Sequence, residues 1–195
     1  MNLYERYPQL NICENDIENA LLLMVDTYQK GGKILVCGNG GSAADADHIV
    51  GELMKGFLKA RKVTDERIPQ ELREKLQGAI PAISLSAHAS LMTATINDND
   101  ADMVFAQQVY GYAKTDDLLI AISTSGNSKN VVNAVKVAKA LDINVVALTG
   151  ETGGMLKNLA DVTICAPTTD TYKIQEYHLP IYHYLCAKVE EEIFE

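Results

Sequence analysis

Two stretches of the chain share one plan: a short apolar run stops in a loop of small polar residues, and an amphipathic pattern begins directly after it. Lys33 to Cys37 (KILVC) enters Gly38-Asn39-Gly40-Gly41-Ser42, and Asp117 to Ser123 (DLLIAIS) enters Ser123-Thr124-Ser125-Gly126-Asn127-Ser128. Apolar runs of this length suit strands buried on both faces, and a helix after each strand makes the sheet parallel. The alternation continues along the chain. Helical spacing marks residues 15–29, 42–58, 69–77, 102–114, 128–140, 153–160 and 172–192, and apolar runs mark further strands at 82–85, 143–149 and 162–166. The expected fold is α/β, a single domain over residues 1–195 with a doubly wound parallel sheet and residues 1–30 as an added N-terminal helical arm. That arm carries an apolar stripe (Ile17, Leu21, Met24, Tyr28) which a sheet already covered on both faces does not need, so it is expected to pack against other subunits.

Charge narrows the function. A net charge of −9 and a pI near 4.9 set a field that repels nucleic-acid backbones and anionic membranes, so neither is an expected partner. No basic segment followed by an apolar one opens the chain, and no run of eighteen apolar residues occurs. Cys13, Cys37, Cys165 and Cys186 form no CxxC and read as small core hydrophobes of a reducing compartment. The expected location is cytoplasmic.

In such a field an anionic ligand has to be held by local N–H groups, hydroxyls, helix N-termini or a metal ion. Both loops supply these. Glycines in 38–41 let the backbone approach a ligand, the following helix aims its N-terminus at it, and residues 123–128 bring four hydroxyls to the second junction. Gly38-x-Gly40-x-x-Ala43 also satisfies a dinucleotide fingerprint, but the acidic residues at the right distance, Asp65 and Glu66, fall in a polar, strandless stretch. There is no GK[ST], which excludes a Walker A loop.

On the helices, His48 and Glu52 stand four apart on one face. In the last helix Gln175 and His183 are eight apart, about 80° around the axis, and His178 lies near the same face, so periodicity leaves His178 and His183 both open. Two nitrogens and two oxygens from two helices are a ligand set that zinc accepts.

Taken together, GNGGSAADADHIVGEL, NDNDADMVF, STSGNSKNV and KIQEYHLPIYH resemble the sugar-isomerase (SIS) fold, and within it the phosphoheptose isomerase family, over nearly the whole chain. The resemblance implies a flavodoxin-like core, a homotetramer with sites at subunit interfaces, and one Zn2+ per subunit. It also implies isomerisation of sedoheptulose 7-phosphate to D-glycero-D-manno-heptose 7-phosphate. Carried over by residue, Ser42, Ser123, Thr124, Ser125 and Ser128 match phosphate-loop positions, Asn39, Gly40 and Gly41 line the site, and Asn97 and Asp98 lie near the sugar. His48, Glu52, Gln175 and His183 match the zinc ligands, which places His183 rather than His178 in the site. Gln175 and Glu52 also match substrate contacts, and Glu52 and His183 match the proton-transfer residues. Two features depart from the family pattern: the segment 54–78 is longer, and Tyr172 stands where many members have an acidic residue three before the glutamine. A non-catalytic phosphosugar-binding regulator or partner-binding module would use the same loops, but the related replication-initiator-associating protein lacks the zinc-type residues that this chain retains.

Overall fold

The computed structural model describes residues 2–194; Met1 and Glu195, the two ends of the expected domain, lie outside the described residues. Five strands, β1 (Ile34–Gly38), β2 (Ala82–Ser84), β3 (Leu118–Ile122), β4 (Asn144–Gly150) and β5 (Val162–Ala166), form one sheet in the order β2-β1-β3-β4-β5. Every neighbouring pair is parallel. This is the expected doubly wound, flavodoxin-like order, with its switch point between β1 and β3.

The period-2 geometry of the strands divides the apolar runs between two cores. Ile34, Val36, Leu118, Ile120, Ile122, Val146 and Leu148 face one, and Leu35, Cys37, Leu119, Ala121, Val145 and Ala147 the other. The helices are α1 (Leu3–Arg6), α2 (Glu14–Gln29), α3 (Gly41–Met54), α4 (Gln70–Arg73), α5 (Ala89–Asp98), α6 (Val104–Tyr112), α7 (Lys129–Ala140) and α8 (Thr171–Ile193). The first core is closed by α2, α3 and α8, the second by α6 and α7.

The N-terminal stripe is used within the chain. Ile17, Leu21 and Met24 are buried in the first core, where α2 packs on α8, β5 and β3, each side chain contributing roughly 1.5–3 kcal/mol by leaving water. Only Tyr28 of the four stays partly exposed. The sheet was not already covered without this helix, so the stripe is no argument for an interface.

Four further expected helices differ in extent, and one helix was not expected. The helix expected over 42–58 stops at Met54, because the buried Arg61 guanidinium takes the carbonyls of Leu53 and Glu52 at 2.6 and 3.1 Å in place of another turn. Residues 69–77 keep helical form only over Gln70–Arg73. The helix α5 had no expectation at all: Thr95 is its one buried residue, so it carries no apolar stripe to read. The expected helix over 102–114 is a 3-10 turn at Ala101–Met103 followed by α6, and that over 153–160 is a 3-10 turn at Gly154–Asn158.

Candidate active site

At the switch point the chain leaves β1 for one face of the sheet and β3 for the other, which opens a crevice beyond their carboxyl ends. Both loops lie there. Gly40 takes φ +57°, a conformation most side chains avoid, and turns the chain into α3. Gly126 takes φ +66° and backs onto Gly153 and Gly154, where a Cβ would run into the Gly153 carbonyl. Asn127 ties the same loop down, its Oδ1 accepting from the Met155 N–H at 2.9 Å and its Nδ2 donating to the Ser125 carbonyl at 2.9 Å. Ser123 and Ser128 share a hydroxyl contact of 3.0 Å.

Neither Gly40 nor Ser128 makes a side-chain cap bond, and the positive dipole ends of α3 and α7 lie at the crevice. The N–H groups of Ser42, Ala43 and Val131 are taken by the Asn39 and Gly40 carbonyls and Asn130 Oδ1, which leaves Gly41, Lys129 and Asn130 to offer theirs. The two loops are joined across it by a reciprocal amide pair, Asn39 with Asn130, at 2.9 Å in each direction. These are neutral donors in an acidic protein, which suits a phosphate group.

The second part of the site lies between α3 and α8. His48 Nε2 is 3.2 Å from Glu52 Oε1 and 3.5 Å from His183 Nε2. Phe57, just past the end of α3, sets its ring 5.6 Å from the His183 ring. That turn is held by Glu190 of α8, whose carboxylate accepts from the N–H groups of Phe57, Leu58 and Lys59 and from Arg61. Burial alone would raise the Glu190 pKa, but these N–H groups and the guanidinium outweigh it and hold it below the usual carboxylate range.

Burial separates the two histidines that spacing could not. Burial lowers the His183 pKa, the neighbouring His48 adds to this, and Glu52 acts against it, so His183 favours its neutral form. His178 is instead fully buried, its ring Nε2 3.1 Å from the Thr149 carbonyl, and burial pushes it down to about 4. His178 is a core residue and His183 faces the site.

A tetrahedral zinc ion with ligands at about 2.0–2.1 Å spaces its donor atoms about 3.3 Å apart. The two contacts made by His48 have that length, and the donor types suit zinc. Among the described residues no three His, Cys, Asp or Glu side chains are gathered tightly enough to hold a metal as they stand; these three meet pairwise through His48. Gln175 sits apart from them, its amide packed where a Cβ on Gly41 would be. Gly41 is two turns of α3 from His48, about 10 Å along the axis. The residues therefore fit zinc in donor type and in two of their separations.

Asn97 and Asp98, at the end of α5, are exposed and bonded to each other at 2.7 Å. Tyr172 is 61% exposed beside Lys173. Sequence reasoning missed Asp45 and Tyr182, which stand beside His48: the Tyr182 hydroxyl is 2.9 Å from His48 Nδ1 and donates to Asp45 Oδ1 at 3.3 Å. Burial, with Asp45 adding to it, raises the Tyr182 pKa and keeps that proton on the phenol. Asp45 is three residues before His48 on the same helix face, a spacing that was legible once His48 was chosen. It also missed Asn130, which no spacing or motif singles out.

Comparison with known proteins gives the family. The SIS domain family matches residues 10–150. The phosphoheptose isomerase of Geobacter sp. (strain M21) is 42% identical over 178 residues, covering 91% of this chain and 84% of that protein. That of Aliarcobacter butzleri is 41% identical, covering 94% and 89%. Among solved structures, phosphoheptose isomerase GmhA from Neisseria gonorrhoeae superposes with a TM-score of 0.77 at 37% identity, covering 92% of this chain and 88% of that one. A phosphoheptose isomerase from Francisella tularensis superposes with a TM-score of 0.79 at 33% identity, covering 95% and 90%. With two Ser-rich loops at the switch point, a His-Glu-His group between α3 and α8, and relatives of this identity along nearly its whole length, the chain belongs to the SIS domain family and, within it, to the phosphoheptose isomerases.

Proposed function

We propose that the chain is an aldose–ketose isomerase that converts sedoheptulose 7-phosphate to D-glycero-D-manno-heptose 7-phosphate through a cis-enediol, with one zinc ion per subunit. The observation that carries the reading is the meeting of Glu52, His48 and His183 on two helices beside the phosphate-type loops.

Ser42, Ser123, Thr124, Ser125 and Ser128, with the open N–H groups of α3 and α7, bind the phosphate and fix the sugar's orientation. Asn39, Gly40 and Gly41 line the path between the loops, and Asn97, Asp98 and Gln175 are assigned to the sugar hydroxyls. The Glu52 carboxylate takes the proton from C1 of the ketose and returns it at C2, while neutral His183 moves protons between O1 and O2. Phe57 packs on the His183 ring and helps to hold its orientation. Zinc held by His48, Glu52, Gln175 and His183 would polarise the carbonyl and stabilise the enediol oxygens.

Assembly as a tetramer belongs to the same reading. Ile12, Leu22 and Tyr110 stay 66% or more exposed and are candidates for its contacts. A cytoplasmic location is proposed with it; no helix of the described residues is long and apolar enough to cross a membrane. A non-catalytic regulator is not favoured, since it has no use for the His-Glu-His group.

The test is isomerase activity on a panel of sugar phosphates in D2O, with and without a chelator. Deuterium entering at C2 of the product supports the enediol route; absence of both turnover and exchange on every heptose, hexose and pentose phosphate, zinc supplied, overturns it.

A further inference from the structure

The Tyr182 hydroxyl has one proton and two neighbours, His48 Nδ1 at 2.9 Å and Asp45 Oδ1 at 3.3 Å. An ionised carboxylate accepts and cannot donate, so the hydroxyl proton goes to Asp45 and the hydroxyl oxygen is left as an acceptor. His48 must then carry its hydrogen on Nδ1. The opposite assignment, with the hydroxyl donating to His48, sets two lone-pair oxygens against each other in a pocket where Asp45 Oδ2 already has no partner.

A hydrogen on Nδ1 leaves Nε2 bare. Nε2 is the atom that faces Glu52 Oε1 at 3.2 Å and His183 Nε2 at 3.5 Å. In the neutral ring that bare nitrogen meets the Glu52 carboxylate lone pair to lone pair, a contact that a cation relieves. The ring is also fixed from the side: Tyr182 is almost wholly buried and meets the His48 ring edge-on, centroids 5.4 Å apart, and the His183 ring at 5.0 Å. One tyrosine therefore sets both the tautomer and the orientation of His48.

We propose that Tyr182 and Asp45 form a positioning pair that holds His48 in its Nδ1–H form with Nε2 aimed between Glu52 and His183, and thereby raises the zinc affinity of the site. The proposal rests on the zinc reading above for its consequence, and on the hydrogen-bond geometry alone for its mechanism. Neither Tyr182 nor Asp45 touches the reacting atoms. They act through His48, as outer partners of metal-bound imidazoles do, and loss of such a partner typically weakens metal binding 10- to 100-fold.

Tyr182→Phe removes one oxygen and keeps the ring packing, so the fold is retained. The control is Tyr184→Phe, on the same helix, whose hydroxyl donates instead to Glu18 at 2.9 Å. Metal-free parent and both variants are titrated with zinc against a chromophoric chelator. In parallel, 15N-labelled histidine in the metal-free proteins reports which ring nitrogen of His48 bears hydrogen, its signal assigned by loss in His48→Gln. Expected are a zinc Kd raised about 10- to 100-fold in Tyr182→Phe, no change in Tyr184→Phe, and an Nδ1–H tautomer in the parent that Tyr182→Phe loses. A zinc Kd within about threefold of the parent, or a His48 tautomer unaltered by Tyr182→Phe, overturns the proposal. If the parent binds no zinc yet shows the Nδ1–H form and Tyr182→Phe loses it, the positioning pair stands and the zinc reading falls.

Discussion

Glu190→Gln tests how the active-site end of α3 is held. The native carboxylate accepts four bonds: 2.8 Å from Phe57 N–H, 2.7 Å from Leu58 N–H, 3.0 Å from Lys59 N–H and 2.7 Å from Arg61 Nε. Both side chains of the ion pair are out of water, at 0% and 1% exposure. Glutamine keeps the volume but replaces one acceptor oxygen by an NH2 group, which faces N–H donors, and it leaves the guanidinium buried without a counter-charge. Breaking a buried pair from one side costs about 3–5 kcal/mol. At about 2–4 °C per kcal/mol for a chain of this size, the melting temperature should fall by roughly 6–20 °C. The assay is thermal and urea unfolding followed by circular dichroism at one fixed protein concentration, because assembly makes the midpoint concentration-dependent. Removing both charges, with Glu190→Leu and Arg61→Met together, should recover little of the loss, because the N–H groups of Phe57, Leu58 and Lys59 and the carbonyls of Leu53 and Glu52 lose their partners as well. Since Arg61 also holds the carbonyl of Glu52 at 3.1 Å, kcat should drop in Glu190→Gln well below its melting point. A midpoint within about 2 °C of the parent would refute the reasoning, because it would mean that the pair is not closed off from solvent.

Glu52→Gln and His183→Asn should each lower kcat at least about 100-fold, with losses far from additive because both act on one proton path; additive losses in steady-state kinetics would count against a shared path. Ser125→Ala should weaken phosphosugar binding roughly 5- to 150-fold, the equivalent of about 1–3 kcal/mol for a hydrogen bond to a charged group, and calorimetry showing unchanged affinity would reject the phosphate loop. His178, lowered to about 4 in the fold, stays neutral while the unfolded chain takes up its proton below about pH 6.5, so stability is lost as pH falls between these values, on the order of 3 kcal/mol in all. His178→Gln should flatten that part of the pH dependence in urea titrations, and equal slopes in parent and variant would contradict it.

What the sequence disclosed follows from which interactions are local. Each strand is an apolar run in itself, and Gly40 and Gly126 both take positive φ, which demands glycine locally, so the sheet, its switch point and both loops were legible. The end of α3 was not, because it is decided by Arg61, a side chain from beyond the helix that reaches back to Leu53. The α2 stripe showed that an apolar face exists but not what covers it, and α8 and β5 cover it within the chain. In the site, helical spacing paired His48 with Glu52 but left His178 level with His183; only packing against β4 separates a core imidazole from one facing the site. Asp45 and Tyr182 were missed because their role depends on α3 and α8 lying side by side. Gln175 was grouped with the three by resemblance, and the fold places it beside Gly41.

The close approach of Gly153 and Gly154 to Gly126 leaves the Ser-rich loop no room to move toward them. Under the proposed function, a ligand anchored there would be registered from its phosphate end, so the count of carbons between phosphate and carbonyl would decide which bond arrives between Glu52 and His183. The protein would then measure length as a caliper does, with one jaw held from behind. A shorter sugar phosphate can be gripped as firmly as the right one and still present the wrong carbon to the base, so discrimination among homologous sugars should appear in turnover more than in binding.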